Sequence, residues 1–511
     1  MATAMTRWDV ETDLVVLGSG GGGLVAAIVA RDQGLQALVL EKLPRIGGAH
    51  ALSGGLLWIP LTPHQQRHTG KQDSREAALD YIRTNSLGLH DEARAAAYVD
   101  QGPEAMAYIE KHTPLRWAVA LSASDYYRHI SAFNWGRVIA PDPASMPGVL
   151  EALEKKQPLL KEVQPNSAGT GWAAAPGSTG GRAIIGALVS ACVDRGISIL
   201  TDTPAQGLIM EDGRVVGVRA TRAGADYSVR ARRGVLIATG GFEHSPEMVK
   251  HYMATPAGLH PISTPGNTGD GHLMAMELGA GTALMSFGIL SAMALDVTGM
   301  AAAGGIGAVP GSIKVNRLGE RCCNESLYMS VARAMTAIST NRDPYWANYP
   351  MYVVMDSKAA KGGSGFQLRG ETIRGLATQM GVDADTLEAS IKRFNHYARK
   401  GEDPDFGRGQ YGAYEPNFFP DGPPTMGPLE AGPFYAARLG IRCVGTKGGL
   451  LTDVQARALD LRGKVIPGLY ATSNAAAHTE FGGGYTSGQS NGHSMVFGYV
   501  AAMHAARKGA E

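Results

Sequence analysis

The run Gly-Ser-Gly-Gly-Gly-Gly at residues 18–23 stands between a short apolar run and an alanine-rich segment. Gly18 permits a tight turn out of a strand, Gly20 lets backbone approach a pyrophosphate, and Gly23 lets the next helix pack on that strand. The N–H groups that begin the helix attract phosphates. Roughly 20 residues later Glu41 ends a second predicted strand, where a carboxylate can accept from ribose hydroxyls. This order predicts a dinucleotide-binding βαβ unit, and the acid argues against a 2′-phosphate.

A second glycine cluster follows at residues 47–55, with the sequence GGAHALSGG. A cluster just after the ribose acid is typical of FAD folds rather than NAD folds, because it lets backbone wrap the pyrophosphate and the flavin from the other side. His50 raises the hypothesis of a covalent flavin. Its spacing to the following glycines differs from that of histidyl-bonded flavoproteins, so we interpret His50 as a polar loop residue and expect non-covalent FAD.

The other half of this site stands at the far end of the chain. Residues 468–474 predict a strand and turn, and residues 481–488 are glycine-rich and precede a final helix. We therefore expect an α/β fold in which a Rossmann-like FAD-binding domain is built from both chain ends, residues 1–279 and 438–511. An inserted α+β catalytic domain, residues 280–437, would present the substrate to the flavin where the two domains meet.

Local patterns between these ends predict further elements. Helical patterns cover 76–112, 181–196 and 271–278, a strand is predicted at 197–200, and a hairpin is closed by Asp212-Gly213. Residues 234–242 predict a buried strand that runs into a glycine turn. Residues 113–180 are irregular and rich in aromatic side chains.

Composition excludes several classes of function. The 511 residues are 44% hydrophobic with a net charge of +1, which favours two or more packed domains and argues against a nucleic-acid surface. The four cysteines lack metal, haem and iron–sulfur spacing, so we expect reduced thiols, no metal site and a cytoplasmic protein. We see no signal peptide and no membrane-spanning run. Electrons must then leave to a separate acceptor, a quinone or an electron-transfer protein.

Seven stretches, in this order, resemble the FAD-dependent fumarate reductase/3-ketosteroid dehydrogenase superfamily. They are GSGGGG, GGAHALSGG, ATGGF, NTGDGHLMAMELGA, NRLGERCCNE, GTKGGLLTD, and GLYATSN through FGYVAA. The resemblance covers most of the chain and is weakest over 60–180 and 330–435, where a substrate would be selected. It implies an FAD-dependent oxidoreductase acting on CH–CH groups.

One segment separates the branches of this superfamily. Fumarate reductases place a catalytic arginine a few residues after the Asn-Glu of an RxxNE segment, here Arg321 to Glu325, whereas this chain has no arginine until Arg333. Tyr328 stands where 3-ketosteroid dehydrogenases carry a tyrosine. Burying a dicarboxylate requires cationic partners, and residues 468–506 contain no Arg or Lys. A neutral ketone therefore ranks above a dicarboxylate.

The turn before the last helix indicates a subtype. The sequence Tyr485-Thr-Ser-Gly488 departs from the Δ1-dehydrogenases and is similar to the 3-ketosteroid Δ4-(5α)-dehydrogenases in its serine. We therefore expect desaturation of a cyclic ketone, most directly a 3-oxo-5α-steroid at C4–C5. Alternatives are a 3-ketosteroid Δ1-dehydrogenase, a dehydrogenase of a small cyclic ketone, an enone or fumarate-type reductase, and a non-catalytic flavoprotein subunit.

The resemblance also implies roles for individual residues. Tyr485 and the Gly488 amide would hold the ketone oxygen, Ser487 would orient Tyr485 or relay a proton through it, and Tyr328 would act on the proton-transfer side with Tyr126 or Tyr127 as helper. Desaturation removes a proton beside the carbonyl and passes a hydride to flavin N5. A tyrosine suits both the removal of the proton and the stabilisation of the enolate oxygen.

The residues assigned to FAD lie in the glycine-rich turns, at predicted strand ends or near the start of the final helix. They are Gly18, Gly20, Gly21, Gly23, Glu41, Lys42, Gly47, Gly48, Ala49, Ser53, Gly54, Gly55, Ala205, Ala238, Thr239, Gly240, Gly241, Thr268, Asp270, Asn474, Ser490 and Asn491.

Overall fold

The structure is a computed structural model that carries side chains. It describes residues 7–70, 72–120, 123–127, 129–142, 180–256, 258–296, 308–340, 344–361, 363, 366–409 and 425–507. Most of the predicted irregular segment 113–180 lies outside the described residues.

The strands are numbered here in chain order. They are β1 Val10–Leu17, β2 Ala37–Leu40, β3 Leu57–Trp58, β4 Trp117–Val119, β5 Val138–Pro141, β6 Ser198–Leu200, β7 Ala205–Glu211, β8 Arg214–Arg222, β9 Ala225–Ile237, β10 His260–Pro261, β11 Thr282–Ala283, β12 Gly288–Ala294, β13 Ser312–Val315, β14 Tyr352–Met355, β15 Leu368–Gly370, β16 Phe434–Thr446, β17 Gly449–Leu450, β18 Arg457–Leu459 and β19 Val465–Ala471.

The helices are numbered in the same way. They are α1 Gly21–Asp32, α2 Gly48–Leu52, α3 Pro63–Thr69, α4 Arg75–Asn85, α5 Glu92–His112, α6 Gly181–Asp194, α7 Pro246–Tyr252, α8 Asp270–Glu277, α9 Ser330–Met335, α10 Ile373–Met380, α11 Ala384–Ala398 and α12 Gln489–Ala505. None of these helices has the length and apolar character needed to cross a membrane.

The main sheet joins the two ends of the chain. Its strands run in the order β18-β19-β9-β1-β2-β6, and the β7–β8 hairpin attaches to β9. The central pairs are parallel, with Val15 beside both Leu38 and Val235, and Leu469 beside Val235 from the other side. Parallel strands buried on both faces read as continuous apolar runs, as β1 and β9 do. This sheet confirms the predicted α/β fold and its construction from both chain ends.

Helices α1 and α12 pack against each other beneath this sheet. Their backbones approach closely, since a Cβ on Gly498 would lie 2.3 Å from the carbonyl oxygen of Gly22. The Gly22 N–H donates to Ser494 Oγ at 3.1 Å. Leu24 and Phe497 are fully buried in the same core, and each such side chain stabilises the fold by about 1.5–3 kcal/mol relative to exposure. The first and last helices are therefore packed tightly against each other next to the first glycine turn.

A second, mixed sheet is organised around β16. This strand pairs in parallel with β10 and antiparallel with β12, β14 and β15, while β13 pairs with β14. Helices α10 and α11 cover it through an apolar cluster that includes Leu376 and Phe394. Strand β16 runs through residues 437 and 438 without a break, so the sheet itself does not mark a domain limit there. The residue limits of the two domains stay a prediction.

Most of the predicted elements are present, and one is divided. The hairpin turns at Asp212-Gly213, and α6, α8 and β9 fall on the patterns that predicted them. The helical stretch 76–112 is instead two helices, α4 and α5. Leu87 and Gly88 both have positive φ, which ends α4, and Asp91 caps α5 by accepting from Arg94 N.

Candidate active site

The first glycine turn has the geometry that its sequence predicts. Gly18 has φ +104°, and a Cβ there would meet Ala238 O at 2.4 Å. A Cβ on Gly23 would meet Gly18 O at 2.2 Å, so both positions need close packing of backbone. Gly20 differs, because a Cβ there would find no atom within 4 Å. The turn is therefore packed where helix meets strand and open where a ligand would approach.

The carboxylate of Glu41 braces this turn. Its Oε2 accepts from Ser19 N at 3.0 Å and Ser19 Oγ at 2.6 Å, and its Oε1 accepts from Leu43 N at 2.8 Å. Ser19 Oγ in turn accepts from Gly47 N at 3.0 Å. The acid thus ties the two glycine clusters together while it lines the cleft, and its predicted contact with a ribose stays a prediction.

An ion pair joins β2 to the start of α8. Lys42 Nζ lies 2.8 Å from Asp270 Oδ2 and donates to Thr268 Oγ1 at 2.6 Å. Thr268 Oγ1 donates to Asp270 Oδ1 at 2.7 Å. The pair is about one-third exposed, so its energetic contribution is small, and its effect is to hold two cleft segments at a fixed separation.

These elements surround one long cleft, part of it open to solvent, which runs from the two glycine clusters to Tyr126, Tyr328 and Tyr485. Three buried polar atoms on its wall have no hydrogen-bond partner among the described residues: His50 Nε2, Thr239 Oγ1 and Ser487 Oγ. Such atoms cost stability unless something binds them. The open glycine cradle and these atoms fit FAD.

His50 is part of the cleft wall rather than an ordinary loop residue. Its ring packs on the first glycine turn, since a Cβ on Gly21 would lie 2.3 Å from His50 Nδ1. Burial lowers the pKa of His50 to about 4, so the imidazole is neutral at pH 7. A neutral ring can donate or accept one hydrogen bond at the ligand, and the expectation of a non-covalent flavin stays a prediction.

Three tyrosine rings meet at one end of the cleft. The ring centroids of Tyr126 and Tyr328 are 5.1 Å apart, those of Tyr126 and Tyr485 are 5.9 Å apart, and those of Tyr328 and Tyr485 are 5.8 Å apart. All three side chains line the cleft, whose wall here also includes Ile289. We call this arrangement the tyrosine triangle.

Tyr126, rather than Tyr127, is the residue that belongs to this triangle. Of the two candidates, Tyr127 lies outside the triangle and outside the cleft wall, with its ring 6.1 Å from that of His129. The Tyr127 backbone N–H donates to the Tyr81 hydroxyl oxygen at 3.2 Å. The geometry therefore replaces Tyr127 with Tyr126 as the candidate, and the role of either residue stays a proposal.

An ion triad holds the segment that carries Tyr126. Arg137 lies 2.9 Å from Asp125 and 2.8 Å from Asp73, and all three side chains are fully buried. Trp58 Nε1 donates to Asp125 Oδ1 at 2.6 Å. Breaking one side of a buried pair leaves an uncompensated charge, so the triad fixes this segment firmly.

Ser487 and Gly488 form the turn into α12. Gly488 has φ +78°, and a Cβ there would meet the backbone of Leu56 and Leu57 at 2.6 Å, so only glycine fits. No side chain caps this helix and its first turn holds no acid. The helix N-terminus is a partial positive charge directed at the cleft, where it favours negative charge on a ligand oxygen.

Two cations hold the glycines that precede Tyr485. Lys447 Nζ donates to Gly482 O at 2.8 Å and to Gly484 O, and Arg333 Nη2 donates to Gly483 O at 2.9 Å. Lys447 is fully buried, and burial lowers its pKa to about 7. Each carbonyl of the glycine triplet therefore accepts a hydrogen bond from a basic side chain.

A further buried network lies behind this loop. His493 Nδ1 lies 2.6 Å from Glu480 Oε1, Arg94 lies 3.4 Å from Glu480 Oε2, and the His478 and His493 rings stack at 4.0 Å. Burial and the charge of His493 lower the pKa of His478 well below its usual value. The side chains of His478, Glu480 and His493 are close enough together to bind a metal ion. Glu480, however, already has an arginine and a histidine as partners. We interpret the network as structural.

The structure brings most of the predicted FAD residues to the cleft wall. Those on the wall are Gly18, Gly20, Gly21, Glu41, Lys42, Gly48, Ala49, Ser53, Gly54, Ala205, Ala238, Thr239, Gly240, Asp270, Asn474, Ser490 and Asn491. Those that support it from behind are Gly23, Gly47, Gly55, Gly241 and Thr268. For example, a Cβ on Gly241 would meet Thr446 Oγ1 at 2.2 Å, and one on Gly55 would meet backbone of Gly180 at 2.6 Å. Their contact with FAD stays a prediction.

Sequence reasoning missed several residues of the wall. Ser19, Thr203, Asn267 and Ser494 line it with polar groups. Ser19 and Asn267 stand inside quoted motifs, so their position in the motif was the available signal. Thr203 and Ser494 carried no local signal, because only the fold brings them to the cleft.

Comparison with known proteins gives a consistent result. Residues 13–492 match the FAD binding domain family. The chain is 35% identical to a 3-oxosteroid 1-dehydrogenase of Mycobacterium tuberculosis, over 97% of this chain and 98% of that one. It is 34% identical to a 4-oxocyclohexanecarboxylate 2-dehydrogenase of Sinomonas cyclohexanicum, over 96% and 92%. A crystal structure of 3-ketosteroid Δ1-dehydrogenase from Sterolibacterium denitrificans superimposes with a TM-score of 0.81 at 30% identity, over 97% and 99%.

Proposed function

This chain belongs to the FAD binding domain family and is an FAD-dependent oxidoreductase, and from that premise we propose that it desaturates a cyclic ketone beside the carbonyl. The substrate we propose is a 3-ketosteroid, and the bond is C1–C2.

The observation that carries this proposal is the tyrosine triangle at the end of the dinucleotide cleft. Three phenols with ring centroids 5.1–5.9 Å apart provide several ionisable hydroxyl groups beside one ligand volume. A non-catalytic flavoprotein does not need these hydroxyl groups. Removal of a proton beside a carbonyl, in contrast, needs a base and a hydrogen-bond donor to the carbonyl oxygen. The triangle therefore favours an enzyme over a non-catalytic subunit.

The proposed reaction has two parts, transfer of a hydride and removal of a proton. Bound FAD supplies the acceptor for the hydride. Tyr485 O–H and the Gly488 N–H donate to the ketone oxygen, and the positive end of α12 stabilises the negative charge that develops there. Tyr328, in its deprotonated phenolate form and assisted by Tyr126, takes the proton from the carbon beside the carbonyl and becomes a neutral phenol. The apolar wall around them, including Ile289 and Val444, excludes water from that proton transfer.

The charges around the triangle support a neutral ketone. Lys447 and Arg333, the two cations that contact the Tyr485 loop, are engaged by the Gly482–Gly484 carbonyls. A carboxylate bound at this end would have to displace one of them, because buried carboxylates need cationic partners. The 3-oxosteroid relative, at 35% identity over nearly the whole chain, supports the same substrate class.

The position of the new double bond rests on the relatives. The curated relative at 35% identity and the crystal structure with a TM-score of 0.81 are both named for position 1 of the steroid, which supports C1–C2. The alternative, C4–C5, is supported by the serine two residues after Tyr485 and by a crystal structure of 3-ketosteroid Δ4-(5α)-dehydrogenase from Rhodococcus jostii, which is 25% identical with a TM-score of 0.72. The same residues serve desaturation and its reverse, so the direction is set by a separate electron acceptor, a quinone or an electron-transfer protein.

A small cyclic ketone is the second candidate. It is favoured by the relative named 4-oxocyclohexanecarboxylate 2-dehydrogenase at 34% identity. In that case one of the two loop cations, most simply the half-buried Arg333, would also meet the substrate carboxylate.

Turnover of the purified flavoprotein with an artificial electron acceptor tests the proposal. The substrates are a 3-ketosteroid, unsubstituted cyclohexanone and 4-oxocyclohexanecarboxylate, with fumarate and a reduced dye for the reverse direction. We expect the highest kcat/KM for the steroid and a new alkene in its product. Preference for the carboxylate would transfer the assignment to the second candidate, and turnover of fumarate alone would reject desaturation.

A further inference from the structure

Three consecutive glycines precede Tyr485, and they make the segment that carries this side chain intrinsically flexible. Gly482, Gly483 and Gly484 have no side chains, and glycine loses more conformational entropy on ordering than any other residue. Such a triplet can be fixed only through its peptide groups. The position of Tyr485 therefore depends on what binds those groups.

The three glycines also leave no space for larger residues. A Cβ on Gly482 would meet Leu89 C at 2.5 Å, and a Cβ on Gly484 would meet Asn85 O at 2.5 Å. Close packing thus requires glycine on this side of the loop. The N–H groups of the triplet donate to backbone carbonyls, Gly482 to His478 O at 3.1 Å, Gly483 to Ser86 O at 2.8 Å and Gly484 to Phe481 O at 3.0 Å, so the carbonyls are the groups that side chains bind.

Lys447 provides two of the necessary donors. Its ammonium group reaches the carbonyls of Gly482 and Gly484 from a fully buried position. An ammonium carries three donors on one atom, so a single side chain can hold two carbonyls. The lysine backbone is itself fixed, because Lys447 N donates to Phe287 O at 2.9 Å and His478 N donates to Lys447 O at 3.1 Å.

Arg333 provides the third donor and links the segments that carry Tyr328 and Tyr485. It lies in α9, immediately after the segment that carries Tyr328, and donates to Gly483 O at 2.9 Å. Because Gly483 is two residues before Tyr485, the guanidinium bridges the segments that carry both tyrosines. The separation of their rings, 5.8 Å between centroids, is therefore held through this contact as well as by packing.

We propose that Lys447 and Arg333 are positioning residues that hold three consecutive glycine carbonyls and thereby set the place of Tyr485 in the tyrosine triangle. This pair is here called the cationic clamp. The proposal rests on the proposed function only for its catalytic consequence, since the effect on loop order does not require any substrate.

The test uses the flavin-loaded protein and the variants Lys447→Met, Arg333→Met and Arg333→Lys. The matched control is Lys464→Met, which makes the same change on an exposed residue. Hydrogen–deuterium exchange is followed in peptides covering residues 478–488, together with kcat and KM per bound flavin. Arg333→Lys retains a cationic donor and is the rescue variant.

We expect faster exchange at 481–488 in both methionine variants and a fall in kcat of about 100-fold with a smaller change in KM, because a misplacement of about 1 Å can cost that much. Arg333→Lys should recover kcat to within about tenfold of the parent, and Lys464→Met should match the parent in both measurements. If Lys447→Met does not fold, the proposal is tested with the variants of Arg333, which is only half-buried.

Exchange at 481–488 and kcat both equal to the parent in Arg333→Met would overturn the clamp. A loss of kcat with no rescue in Arg333→Lys and no change in exchange would also overturn it. If the parent turns over no ketone, the proposed function fails, and the exchange measurement still accepts or rejects the clamp.

Discussion

Tyr328 and Tyr485 face each other with ring centroids 5.8 Å apart, although one precedes α9 in the middle of the chain and the other precedes the final helix. Tyr126 closes the third side from a loop anchored by a buried ion triad. Three distant segments thus supply one cluster of phenols at the end of a dinucleotide cleft.

Removing single hydroxyl groups tests the roles within the triangle. Tyr485→Phe and Tyr328→Phe should each lower kcat by about 100-fold or more, because in the proposed mechanism Tyr328 moves the proton and Tyr485 donates to the ketone oxygen. Tyr126→Phe should lower it more than Tyr127→Phe, since only Tyr126 lines the cleft. Steady-state kinetics per bound flavin measures this, and a larger loss in Tyr127→Phe would reverse the assignment.

Replacing Gly488 tests the turn into α12. Gly488→Ala places a Cβ 2.6 Å from backbone of Leu56 at φ +78°, so we expect a lower Tm and loss of turnover. Gly463→Ala is the matched control, because Gly463 has φ +77° with no atom within 4 Å of a Cβ. The left-handed conformation alone costs roughly 1–2 kcal/mol in both variants. Equal changes in Tm and activity would show that the close contact with Leu56 is unimportant.

Removing the central cation tests the triad behind Tyr126. Arg137→Met leaves Asp73 and Asp125 buried without their partner and should reduce the free energy of unfolding by about 3–5 kcal/mol. Arg374→Met, which breaks exposed pairs with Asp385 and Glu388, should change it by less than about 1 kcal/mol. Urea unfolding measures both variants, and a difference below about 1 kcal/mol would contradict this account.

The pH dependence of stability tests a buried histidine away from the cleft. Burial lowers the pKa of His272 to about 4, against about 6.5 in an unfolded chain. Between these values only the unfolded state binds the proton, so stability is fully present above pH 6.5 and falls as the pH drops toward 4. His272→Gln should lose less stability between pH 7 and pH 5 than the parent, by about 2 kcal/mol.

The control for this measurement is His251→Gln, since His251 is an exposed residue of α7. This variant measures how far the loss of a histidine at the surface changes the curve. Identical curves for His272→Gln and the parent would mean that His272 is protonated in the folded protein.

The dinucleotide half of the site was predictable because its signals are local. Gly18, Gly20 and Gly23 act through spacing within one turn, and the structure gives each the predicted packing or openness. The partner of Glu41 was not predictable in the same way. Its carboxylate is bound by Ser19 and Leu43, and this depends on how two turns meet.

The end of the cleft to which we assign catalysis could be located only through resemblance. Tyr328 and Tyr485 were located by motif, but the choice between Tyr126 and Tyr127 needed the backbone, since adjacent residues point in different directions. Lys447 gave no signal in its own segment, because its partners Gly482 and Gly484 come near it only after β16 and the final turn are assembled.

The most direct test of the central claim is an anaerobic titration of the purified flavoprotein with a 3-ketosteroid that is saturated at C1–C2, followed through the absorbance of oxidised flavin. We predict stoichiometric bleaching and a product with a C1–C2 alkene by mass spectrometry and NMR. A C4–C5 alkene, formed from a substrate that is saturated at C4–C5, would change the proposed position of the double bond but support the same desaturation chemistry. Absence of bleaching with steroid and small cyclic ketones alike, in a preparation whose flavin is still reduced by dithionite, would contradict the account.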